Sequence, residues 1–262
     1  MQRDVFARLE LEVARASTLV LSVAVADRTA DQTLTVTLDG TQLEARELAG
    51  DHGTVLHVVD AEVGRLSVAY DARVVGHRPQ EDGDEADRLR YLRPSRYCES
   101  DTLGPTARAE FAGLAGAALL DAVSSWVGTR LSYVPGSSLP TDGAVRTLLS
   151  RQGVCRDYAH LVVALLRALD VPARLVAVYA PGLDPMDFHA VAEAWVDGAW
   201  HVVDATTLAP RGTLLRISTG RDASDTAFLS VHGGIATLLD VQVGAVADAL
   251  PDDDVRVLAR LG

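Results

Sequence analysis

The chain contains no lysine; all 24 of its basic side chains are arginine. Against 36 Asp and Glu they leave a formal net charge of -12 and a pI near 4.9. So acidic a chain is not built to hold a polyanion, which argues against nucleic acid or an anionic membrane surface as its main partner. The lack of lysine also means that the protein offers no lysine of its own as an amine acceptor. Cysteine is scarce too: Cys98 and Cys155 are the whole complement of 262 residues, too few for a disulfide framework. A Cys98–Cys155 bridge is not expected in a reducing compartment. No run approaches the roughly 18 apolar residues of a membrane span. Met1–Glu10 is charged and lacks the apolar stretch of a secretion signal. The expectation is a cytoplasmic protein without a membrane partner.

Hydrophobic residues make up 48% of the chain, enough to bury one large core or two modest ones. Through the first hundred residues their period is near two. Residues 18–25, 32–38, 54–59 and 65–70 alternate and are rich in β-branched side chains, with Asp39-Gly40 and Asp51-His-Gly53 as turns. That pattern predicts a small antiparallel sandwich. The acidic stretch Glu81–Asp87 reads as a solvated connector; it lacks the spacing and closing glutamate of a calcium loop. From Thr106 the period moves toward 3.6. Residues 107–127 predict one helix, 142–149 a short one, and Cys155 opens a third that ends before Val171-Pro172. Strands are expected at 174–179, 190–195 and 200–204, and a last strand pair at 214–217 and 236–243.

Cys155 follows Gly153-Val and stands in the first turn of its helix. Exposed N–H groups and the helix dipole favour a thiolate there. Downstream, Asp197-Gly198 signals a two-residue hairpin. In that register Val196 pairs with Ala199, and Val191 falls opposite Asp204. His189, two residues from Val191, then shares a face with Asp204, at about 7–8 Å between Cα atoms as a diagonal neighbour. His201 alternates to the opposite face. His160 sits five residues beyond Cys155, about 140° around the helix, and cannot easily reach the thiol. The order Cys155, His189, Asp204 thus reads as nucleophile, base and orienter. Cys98 lacks such surroundings and is expected to be structural.

The segment Gly153–Leu161 resembles the nucleophile motif of the transglutaminase-like superfamily. Residues 164–174 and Val178-Tyr179 resemble its helix-to-strand continuation, and His189–Glu193 with Asp197–Asp204 its histidine and aspartate motifs. The likeness spans about Thr106 to Thr207. The β-rich first hundred residues, with Tyr91–Cys98, and the tail piece Thr219–Asp222 resemble the corresponding regions of bacterial members. Val191 stands where the family often has tryptophan, and Ala205 where it often has proline.

The resemblance implies an α+β fold. A papain-like core, its nucleophile helix packed on an antiparallel sheet, would follow a small β-sandwich-like domain. It divides the chain into a β-rich domain over 1–100 and a catalytic domain over 101–262 with a C-terminal strand extension. It implies acyl transfer from a peptide or protein substrate through a thioester at Cys155, with no metal and no organic cofactor. Hydrolysis by a peptidase or amidase is expected first; amine transfer as a transglutaminase, or a non-catalytic binding module keeping the fold, are the alternatives. The backbone N–H of Cys155 is one oxyanion donor. Gln152, Tyr133, Trp195 and Glu193 are the remaining oxyanion or pocket candidates. Nothing in the chain signals an oligomeric state.

Overall fold

Alternation of apolar and polar side chains carries the first part of the chain into strands, because successive residues of a strand face opposite sides. In the computed structural model, which describes residues 1–27, 30–77 and 83–262, these are β1 (Gln2–Arg15), β2 (Ser17–Leu21), β3 (Asp31–Leu38), β4 (Thr41–Leu43), β5 (Arg46–Ala49), β6 (Val55–Ala61) and β7 (Gly64–Val75). Helices follow as α1 (Glu85–Arg90), α2 (Ser100–Phe111) and α3 (Gly116–Arg130). Next come β8 (Ser132–Tyr133), α4 (Ala144–Ser150), β9 (Gln152–Gly153) and α5 (Cys155–Arg167). The chain continues through β10 (Ala173–Tyr179), β11 (His189–Val196), β12 (Ala199–Val203), β13 (Leu215–Gly220), α6 (Ala223–Thr226), β14 (Leu229–His232) and β15 (Ile235–Ala247).

Two antiparallel sheets, ordered β15-β1-β7-β3-β4 and β14-β2-β6-β5, enclose an apolar core that includes Leu9, Leu11, Leu19, Leu21, Val59 and Leu66. A third sheet, β12-β11-β10-β13, backs onto α5. There Leu161, Val162, Leu165 and Leu166 are fully buried with Ala192 and Ala194 of β11. Each buried Leu or Val contributes about 1.5–3 kcal/mol of transfer free energy, so α5 is anchored by its apolar face and not by local propensity. The two halves meet where the Tyr179 hydroxyl donates to the Val23 carbonyl at 2.7 Å. Nearby, the Ser22 N–H donates to the Phe228 carbonyl at 2.9 Å.

The α+β class and the helix-on-sheet core agree with the sequence expectation; four details differ. β1 was not anticipated, though its side chains alternate between buried and more exposed as a strand's should. The single helix expected over 107–127 is two, α2 and α3, bent by 105° at their junction. Leu103 and Phe111 on one, and Leu119 and Val127 on the other, all bury in the core around α5, and the bend lets both faces reach it. The strands near 214–217 and 236–243 do not pair with each other. β13 borders β10, whereas β14 and β15 pair with β2 and β1 and complete the two sheets of the N-terminal half. An open edge of β1 needs a partner for its backbone groups, and β15 supplies it. The chain therefore crosses the division expected at residue 100. Of the acidic connector, Glu81 and Asp82 lie outside the described residues. Its remainder enters α1, capped by Asp84, whose carboxylate accepts from the Asp87 N–H at 2.8 Å. Asp87 is not solvated: its carboxylate lies 3.3 Å from His52 and 3.7 Å from Arg174.

Candidate active site

The entry to α5 is built by close approach. Arg151, in the left-handed region at φ 56°, ends α4 and turns the chain into β9. β9 runs parallel to β8, with Tyr133 opposite Gly153. Asp157 then reaches back from the first turn, and its carboxylate accepts from the Val154 N–H at 2.8 Å. A Cβ on Gly153 would stand 2.7 Å from the Asp157 Cβ, so only glycine lets this acidic cap close. The cap and the helix dipole act on the same residue: Cys155 is the first residue of α5 and is partly exposed.

The hairpin forms as its sequence predicts. Asp197 and Gly198 adopt φ 52° and 81°, the two positive values of a type I′ turn, and Val196 pairs with Ala199. His189 Nε2 and Asp204 Oδ2 are 2.8 Å apart, both side chains almost fully buried. The other Asp204 oxygen accepts from the Thr206 N–H at 2.9 Å and its hydroxyl at 2.6 Å. Thr206 was missed from the sequence, although an Asp with a hydroxyl residue two positions on is a recognisable turn signal.

With Nε2 held by Asp204, Nδ1 is the ring nitrogen without a hydrogen bond. Burial alone would drive His189 toward its neutral form. The Asp204 charge and hydrogen bond, with a contribution from the Cys155 side chain, outweigh it and push the imidazole up to about 10. In turn His189 and Thr206 overcome burial to hold the Asp204 carboxyl below its usual value. The imidazole is thus cationic at neutral pH and interacts with the Cys155 side chain. Such an arrangement can stabilise a thiolate and return a proton to a leaving group.

The remaining candidates separate. The Tyr133 hydroxyl is within reach of both the thiol and the backbone N–H of Cys155; burial and the nearby sulfur push it up to about 12, so it stays an O–H donor. Gln152 is exposed, and its backbone serves the β8–β9 pair. Neither Gln152 nor Tyr133 lines the cavity beside Cys155, but only Tyr133 reaches the Cys155 backbone and side chain. Glu193 and Trp195 share the His189 face, but at about 3.3 Å per residue they lie about 13 and 20 Å farther along β11. They do not belong to the pocket. Glu193 is locked between Arg174 and Arg216 at 2.7–2.9 Å, and these two cations pull its carboxyl down to about 2 against its burial. Trp195 packs edge-on against Trp200 beneath the Arg88 guanidinium. Cys98 is buried and free, its thiol pushed up to about 12 by that burial. His160 is also buried, and its Nε2 accepts from the Ala223 N–H at 3.1 Å.

Cys155 and His189 open on a cavity of about 480 Å³ between the third sheet and the N-terminal half. Among the described residues no three His, Cys, Asp or Glu side chains converge to hold a metal ion. No single helix among them is long and apolar enough to cross a membrane.

The family model of the transglutaminase-like superfamily matches residues 112–205. The crystal structure of a "putative cysteine protease" from Cytophaga hutchinsonii superposes with a TM-score of 0.85 at 32% identity, over 97% of this chain and 92% of that one. An uncharacterized protein of Mycobacterium leprae is 31% identical over 132 residues, 47% of each chain. Another, of Mycobacterium tuberculosis, is 37% identical over 82 residues, 28% of this chain and 26% of its own. These matches extend over less than half the length of either curated relative.

Proposed function

The chain belongs to the transglutaminase-like superfamily of papain-like cysteine enzymes, and from that premise we propose that it hydrolyses amide or peptide bonds through a thioester on Cys155. The observation that carries this reading is the 2.8 Å bond between His189 and Asp204, which leaves Nδ1 unspent beside the thiol. The Cys155 thiolate attacks the carbonyl carbon and a C–S bond forms. The developing oxyanion is met by the Cys155 backbone N–H and the Tyr133 hydroxyl. His189 gives its Nδ1 proton to the amine, which leaves as the C–N bond breaks. The now neutral imidazole takes a proton from water, whose oxygen attacks the thioester. The thiolate departs with the C–S electron pair, and His189 is a cation again.

Water and an amine compete for the same thioester, so the deciding experiment supplies both. The protein is incubated with a peptide mixture containing glutamine and phenylalanine sites plus a labelled primary amine, and products are identified by mass spectrometry. Cleaved or deamidated peptides without label are the expected result. Label incorporated faster than acid is released makes the protein an amine transferase instead. A protein in which neither product depends on Cys155 is not a cysteine enzyme of this kind.

A further inference from the structure

The cavity beside Cys155 has walls that proton transfer does not use. Leu175 and Ala177 of β10 and Ile217 of β13 line it. Phe188, immediately before the histidine, and Phe228, just ahead of β14, join them, with rings 5.0 Å apart and 23° from parallel. Both rings are only half-buried. Phe228 is held in place through its carbonyl, which accepts from Ser22 of the N-terminal half. Two stacked aromatic rings left half-exposed beside a nucleophile are apolar surface that a ligand would remove from water. The volume, about 480 Å³, lies within the roughly 300–1,000 Å³ of small-ligand pockets.

Charge at the cavity argues against an acidic occupant. The Arg156 guanidinium is already engaged by the Ser138 hydroxyl at 2.6 Å and the Leu139 carbonyl at 2.9 Å. It also faces the Asp157 carboxylate at 3.7 Å. Asp187 is exposed and accepts from the Phe188 N–H at 2.7 Å, so it adds negative charge. Among the described residues that line the cavity, Arg156 is the one arginine; it is held on its Nη2 side, and the Asp187 carboxylate offsets its charge. Because Cys155 and His189 are themselves part of the lining, whatever fills the cavity is joined closely to the carbonyl under attack.

We infer that this cavity is the acyl pocket and that it selects substrates with a large uncharged side chain, above all an aromatic one, next to the scissile carbonyl. The inference rests on the proposed acylation of Cys155 and names its substrate class.

Simple 4-nitrophenyl esters test it on the full chain. The thiolate attacks the ester carbonyl, the C–S bond forms, and 4-nitrophenolate leaves with the electron pair of the broken C–O bond. Rates with the acetate, hexanoate and 3-phenylpropionate are each divided by the rate on glutathione, and acylation at Cys155 is located by mass spectrometry. The corrected 3-phenylpropionate rate is expected to exceed the acetate rate by at least about tenfold, with hexanoate between. Phe228→Ala should bring the ratio toward one, and Phe228→Leu, which keeps an apolar wall without the ring, to an intermediate value. Acylation of Cys155 with no chain preference overturns the pocket while leaving the nucleophile standing. No acylation at Cys155 by any ester overturns both.

Discussion

One face of β11 carries two buried charged constellations, and they are used oppositely. Near one end Glu193 sits between Arg174 and Arg216, with both carboxylate oxygens engaged by guanidinium groups. At the other end Asp204 is equally saturated, by His189 and Thr206, but His189 keeps one nitrogen unbonded. Both groups are removed from water and both are ion-paired. What differs is whether an atom with acid–base capacity is left over, and whether a nucleophile and a cavity lie next to it. Burial and perturbed titration alone would not separate the two. The Arg–Glu–Arg cluster ties β10, β11 and β13 of the third sheet to one another, and Arg174 extends it to Asp87; the Cys–His–Asp cluster stays open at one atom.

The comparison breaks first at Cys155. Cys155→Ala should lower amide hydrolysis by about 10⁶-fold while thermal unfolding stays close to wild type. An activity that survives this change would move the chemistry elsewhere. Asp204→Asn should cost about 10⁴-fold in kcat, because an amide facing Nε2 favours the tautomer whose Nδ1 carries the proton. Steady-state kinetics with structure-sensitive CD separates that effect from unfolding. At the closed end Glu193→Ala takes the bonded carboxylate from two buried arginines, leaving Arg174 the more distant Asp87 at 3.7 Å, and should destabilise the fold by about 3–5 kcal/mol, read by urea titration. If the variant unfolds no more readily, the cluster is not a structural clamp.

The two ends should also respond to pH with opposite signs. Glu193 is held down to about 2 from an ordinary 4.5, so its stabilising contribution is full above about 4.5 and disappears as pH falls toward 2. His189 is raised to about 10 from 6.5, so its contribution is full below about 6.5 and is lost as pH rises through 10. Urea midpoints of Glu193→Gln and His189→Ala against wild type, from pH 3 to 10, check both limbs. The Glu193→Gln difference should shrink on the acid side and the His189→Ala difference on the alkaline side. The same His189→Ala protein offers the subtlest test, by iodoacetamide labelling of Cys155. At pH 7 the variant should be labelled more slowly than wild type, because the thiolate has lost its neighbouring imidazolium; equal rates would mean that His189 does not support the thiolate.

Much of the open end was legible because its geometry is local. Asp197-Gly198 permits a two-residue turn, the turn sets the register, and the register puts His189 and Asp204 on one face. Gly153 and Cys155 mark the helix start by the same short-range logic. Glu193 and Trp195 were misplaced for an equally plain reason. A strand face is shared by every second residue, but its length separates them, and proximity to His189 in sequence says little about the pocket. Asp87 was taken for solvent because Arg174 and His52, its partners, come from elsewhere in the chain.

By itself the sequence determined the strand and helix periods, the turn that sets the β11–β12 register, and the histidine and aspartate that this register brings together. These follow from residue-to-residue sterics and hydrogen bonding over a few positions. The tertiary structure alone decided that β14 and β15 return to the first two sheets, that two arginines close around Glu193, and that Phe228 comes to stand beside Phe188 at the thiol. Each joins residues far apart in the chain, and burial of a shared apolar surface, which local pattern does not record, chooses the partner.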